Sequence, residues 1–164
     1  MNMTRTVPQG GSWLHTWFGV NGVGNADGFQ ALVSQICQQE TALACHLAER
    51  ARALRFAPDR LALEAVAERD RQNAHRLAHE IGCGTTLVAA ASPARRPGTL
   101  TATKLIQDLE ETEDLYDMYR QAGRLTSDAA LRGTMDECAA DKARGSQTIR
   151  AIRARMDSYV TDRP

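Results

Sequence analysis

The chain has 164 residues, 43% hydrophobic and 24% charged, the balance of one soluble domain with a single core. Its 20 basic and 20 acidic residues cancel, and the densest basic spot is only Arg95-Arg96, so no field recruits nucleic acid or anionic lipid. No run of about 18 apolar residues offers a membrane span, and the opening MNMTRTVPQGG lacks the apolar centre of a signal peptide, so the expected location is cytoplasmic.

Residues 1–27 carry Gly10, Gly11, Gly19, Gly22 and Gly24 without any period and read as an irregular arm. Trp13, Trp17 and Phe18 sit within it, and aromatics so concentrated seek a partner surface. The remainder, 28–164, reads as a bundle of four helices. Leu32, Val33, Ile36, Leu43, Leu47 and Leu54 recur at three- and four-residue steps, which predicts a first helix over Phe29–Leu54. Ala57-Pro58-Asp59 breaks it, and a second helix follows over Asp59–Ile81, stopped by Gly82. Residues 82–99, GCGTTLVAAASPARRPGT, form a long connection. A third helix spans Thr101–Ala122, with Gly123 near its end. Thr126-Ser127-Asp128 supplies capping chemistry for a fourth over Asp128–Tyr159.

Short joins make two antiparallel hairpins. A helix of about 26 residues is roughly 39 Å long, and eighteen extended residues reach roughly 60 Å, so the middle connection can cross the whole bundle. The four cysteines, Cys37, Cys45, Cys83 and Cys138, have neither C-x-x-C nor zinc spacing and read as free thiols.

The sequence also aligns with itself. Leu32 falls on Leu105, Val33 on Ile106, Ile36 on Leu109, Glu40 on Glu113 and Leu43 on Tyr116. At nearly the same offset Leu63 falls on Met135, Val66 on Cys138, Asp70 on Lys142, Asn73 on Gly145 and Leu77 on Ile149. Glu40 and Glu113 each interrupt an apolar stripe, which points both carboxylates inward.

Two hairpins, a long crossover and a Glu midway along the first and third helices resemble the ferritin-like superfamily of rubrerythrins and bacterioferritins, over about Phe29–Tyr159. The resemblance implies an all-α four-helix bundle. In metal-bearing members, a Glu from each of two helices and a Glu-x-x-His pair from each of the others surround two metal ions. Here the pattern breaks. The second helix offers Gln72-Asn73-Ala74-His75, and Asp70 and Asn73 hold the inward positions instead. No histidine follows His79, so the fourth helix has no such pair, and Lys142 stands opposite Asp70.

The expected centre is a polar cluster of Glu40, Asp70, Asn73, Glu113 and Lys142, with the ammonium where a metal would sit. The leading reading is a non-enzymatic structural, binding or assembly module without a cofactor, pairing with a second copy as a homodimer through helix faces and the aromatic arm. Neither nucleic acid nor membrane is an expected partner. An alternative is an iron or manganese oxidase or peroxidase with Glu40, Asp70, His75, Glu113 and Asp141 as ligands. A further alternative is a carrier of a small hydrophobic molecule. His75 and His79 read as a polar face, His46 and His15 lack a convincing partner, and Tyr116 and Tyr119 read as core aromatics.

Overall fold

The computed structural model describes residues 25–82 and 102–161, and its regular structure is wholly helical: α1 Asn25–Ala53, α2 Ala57–Glu80, α3 Ala102–Leu125 and α4 Ala129–Thr161. The expected bundle of four helices is present, without a strand among the described residues. Trp13, Trp17, Phe18, His15, Cys83 and the Arg95-Arg96 spot lie outside those residues, as does most of the middle connection.

The helix ends follow local chemistry. Residues 25–27, expected in the arm, belong to α1. Gly28 costs a helix only about 1 kcal/mol, too little to delay one anchored by Leu32 and Val33, both buried. Pro58 lies in the first turn of α2 rather than before it, because a proline there removes no hydrogen bond that the helix needs. Gly82 ends α2 as expected: its φ of 66° is left-handed, and its amide donates to the His79 carbonyl at 3.3 Å. Gly123 does not end α3. It is buried against Met135, and the helix runs on to Leu125. Asp128 caps α4, its Oδ1 accepting from the amides of Ala130 at 2.8 Å and Leu131 at 3.2 Å.

α1 packs chiefly on α2, and α3 chiefly on α4; the two pairs meet through α1 with α3 and α2 with α4. Val33, Ile36, Leu43 and Leu47 of α1, Leu63 and Leu77 of α2, Leu105, Leu115 and Met118 of α3, and Met135, Ile149 and Ile152 of α4 are all buried and form one continuous core. Each such side chain stabilises the fold by about 1.5–3 kcal/mol.

Polar contacts fix the order along the helices. Asp59 at the start of α2 meets Arg155 late in α4 at 2.5 Å. Arg76 near the end of α2 meets Glu137 at 2.5 Å and Thr134 at 3.1 Å, early in α4. On the other side, Arg50 near the end of α1 meets Asp108 near the start of α3 at 3.1 Å. Gly145 permits α4 to come close to α2, since a Cβ there would lie 3.2 Å from Val66 Cγ1.

Candidate functional site: a buried ion triad

Three charged side chains converge where α1, α2 and α4 meet. Glu40 of α1, Asp70 of α2 and Lys142 of α4 are all 2% exposed or less. The Lys142 ammonium donates to Glu40 Oε2 at 2.6 Å and lies 2.5 Å from Asp70 Oδ1. Tyr119 of α3 is also fully buried, and its hydroxyl donates to the other Glu40 oxygen, Oε1, at 2.7 Å. Each helix therefore supplies one member. The α1–α2 pair brings both acids, and the α3–α4 pair brings the cation and the phenol.

Burial governs the electrostatics. It pushes the Glu40 carboxyl up to about 7 against the pull of Lys142, with the charge of Asp70 adding to the rise. Asp70 is raised too, by burial first, with Lys142 opposing. Lys142 moves up despite its own desolvation, because Glu40 and then Asp70 favour the ammonium. The Tyr119 phenol is held well above its ordinary value by burial and by Glu40. Cys138 lies in the same environment, where burial and then Glu40 push its thiol up to about 12. It is a protonated core thiol, and neither it nor Cys37 nor Cys45 forms a disulfide among the described residues. Two buried atoms on α2, Asp70 Oδ2 and Asn73 Nδ2, have no hydrogen-bond partner among the described residues.

Of the five residues expected at the centre, Glu40, Asp70 and Lys142 are brought together, and Asn73 is buried one turn from Asp70. Glu113 is a correction. Its side chain is 45% exposed and pairs with Arg150 on the outer face of α3 and α4. The reason is register. Burial places Val33 over Leu105, Glu40 over Thr112, Leu43 over Leu115 and Leu47 over Tyr119, one residue away from the alignment that set Glu40 on Glu113. One residue turns a helix by about 100°, enough to move a side chain from core to solvent. The true counterpart of Glu40 is Thr112, whose hydroxyl turns back to the Asp108 carbonyl at 2.6 Å.

The alternative metal ligands do not converge either. His75 is exposed. Asp141 pairs with Arg69 at 3.4 Å and with Arg144, at the edge of the α2–α4 interface. Among the described residues the five candidates therefore do not come together: the Glu40 and Asp70 carboxylates reach the middle, and the Lys142 ammonium lies between them. Tyr119 is the member that the sequence reading missed. Its signal was a hydroxyl on the buried stripe of Leu105, Leu109, Leu115 and Ala122, since a buried phenol needs an acceptor.

Comparison with protein families, curated proteins and solved structures finds no match for the chain.

Proposed function

We propose that the chain is a ferritin-like bundle of two antiparallel hairpins joined by a long crossover, in which an internal ion triad stands in place of the two-metal centre. It works as a structural, binding or assembly module rather than as an oxidase, and its simplest partner is a second copy. One observation carries the reading: the Lys142 ammonium lies within 2.6 Å of Glu40 and within 2.5 Å of Asp70, in the middle of the helices. A lysine cannot be displaced by a metal ion without exposing or deprotonating a charge that both acids hold in place.

The connectivity draws support from the order of the polar contacts. Asp59 meets Arg155 while Arg76 meets Thr134, so α2 and α4 run oppositely; Arg50 meets Asp108 while Glu40 meets Tyr119, so α1 and α3 do too. The end of α2 and the start of α3 then fall at opposite ends, as a crossover requires. The carrier reading expects an apolar internal cavity. The cleft beside Asp70, about 230 Å³, is lined by Ala62, Ala65 and Val66 together with Arg69, Asp141 and Arg144, a mixed rather than a wholly apolar surface. No described helix is long and apolar enough to cross a membrane.

Elemental analysis of the protein purified from iron- and manganese-supplemented cells tests the reading. We expect no central metal, and Glu40→Ala leaves the metal content unchanged. About two iron or manganese ions per chain, lost in Glu40→Ala, would restore the oxidase reading.

A further inference from the structure

A second mixed cluster lies on the face where α1 meets α3, and it plays no part in the triad. His46 comes from α1. Asp108 and Glu111 are three residues apart on α3 and so share one face of that helix. One donor atom from each of the three lies within 4.8 Å of the other two, and His46 Nδ1 is 3.6 Å from Glu111 Oε2. The imidazole and the Glu111 side chain are 45% and 49% exposed, so the cluster opens to water. The Asp108 side chain is only 1% exposed and is already fixed, with Arg50 Nε donating to its Oδ2 at 3.1 Å.

The geometry points to a single-ion site for a first-row divalent cation, of which Zn²⁺ is the type, held by His46, Asp108 and Glu111. A nitrogen donor beside two carboxylates suits zinc and its neighbours, whereas magnesium and calcium prefer oxygen alone. Arg50 occupies the place of an outer partner, orienting a ligating carboxylate through a hydrogen bond to its Oδ2. Two carboxylates against one guanidinium leave a single negative charge beside the imidazole, which favours a dication once the imidazole has given up its proton.

A surface histidine–glutamate pair is commonplace. The third donor, a buried carboxylate held by a guanidinium, makes a chelate, because a fixed ligand loses little freedom on binding. In a tetrahedral site with bonds of about 2.0–2.2 Å the donors lie roughly 3.4 Å apart. His46 and Glu111, at 3.6 Å, are already near that spacing, and the widest separation of up to 4.8 Å closes by movement of the two half-exposed side chains toward Asp108, with water completing the coordination on the open side.

The site is independent of the central triad, and its test does not touch it. The full chain, stripped with chelator, is titrated with ZnCl₂ by calorimetry and with CoCl₂ by visible absorption. One ion per chain is expected for each, with a tenfold or greater loss of affinity in His46→Ala and in Glu111→Gln and no change in Glu113→Gln. MgCl₂ should give no saturable binding. Zn²⁺ should raise the melting temperature of the parent but not of His46→Ala. Because His46 and Glu111 are half exposed, neither substitution endangers the fold. Absence of stoichiometric Zn²⁺ binding, equal binding of Mg²⁺, or Zn²⁺ binding unchanged in both variants, as capture by thiols would give, overturns the assignment.

Discussion

Two ion pairs on α4 lie less than three turns apart and could hardly differ more in surroundings. Arg150 meets Glu113 with both side chains roughly half exposed, at 59% and 45%. Lys142 meets Glu40 and Asp70 where the solvent exposure of all three side chains is 2% or less. In the first, water screens the attraction and stands ready to replace either partner. In the second, the charges have already given up their hydration, and each is tolerable only because the others are there. The same chemistry is thus nearly free to lose on the outside and costly to break on the inside, although neither pair need add much net stability.

The largest effect that sharpens this contrast is Lys142→Met. Leaving Glu40 and Asp70 buried without a cation should cost on the order of 3–5 kcal/mol in denaturant unfolding at neutral pH. The triple change Glu40→Leu, Asp70→Leu, Lys142→Met should recover most of that loss, because no charge remains to be desolvated. Equal stability of the parent and Lys142→Met would dissolve the difference between the two regions.

Next in size is the response to pH. The folded Glu40 carboxyl, pushed up to about 7 from 4.5, holds a proton that the unfolded chain releases earlier. Stability therefore falls as the pH rises through that window, by at most about 3 kcal/mol at 1.36 kcal/mol per unit. Asp70 acts in the same direction from a lower starting point. His46, raised chiefly by its hydrogen bond to Glu111, also loses stability as the pH rises. Unfolding curves of Glu40→Gln isolate the first contribution, and a slope identical to the parent's would place Glu40 in water. The raised Lys142 keeps its own contribution throughout this range and loses it only as the pH climbs through its folded value.

Tyr119→Phe should cost about 2 kcal/mol, the usual range for a hydrogen bond to a charged group, and should raise the Glu40 carboxyl further, because the phenol holds it down. Titration of Glu40 by NMR in this variant reads the shift directly. Arg150→Ala, at the other extreme, should change stability by less than about 1 kcal/mol. A loss as large as that of Lys142→Met would show that exposure does not separate the two pairs.

The helices were legible from the sequence because their apolar stripes are long and their punctuation is strong. Gly82 and Asp128 mark ends that local backbone chemistry alone determines. Gly123 lies near the end of α3 as expected, and its buried contact with Met135 lets the helix run two residues further, outweighing the small cost of a glycine inside a helix. Glu40, Asp70 and Lys142 were legible because each replaces an apolar residue on a stripe. Glu113 was not, since both it and Thr112 fit the α3 stripe within one residue. Only packing, through Leu115 and Tyr119, chooses between them. The Asp108–Arg50 contact was hidden for a related reason: it joins separate helices, and no local spacing encodes it.

The division of the triad between the halves of the chain has a consequence for assembly. Were two α1–α2 units from different molecules to pair, the triad's share of each would be two carboxylates; were two α3–α4 units to pair, it would be the Lys142 ammonium and the Tyr119 phenol, with neither Glu40 nor Asp70 to meet them. Only the mixed union neutralises itself. The interior thus behaves as a polarised lock: like halves cannot close it together, whereas an α1–α2 unit closes it equally well with the α3–α4 unit of its own chain or of a neighbour.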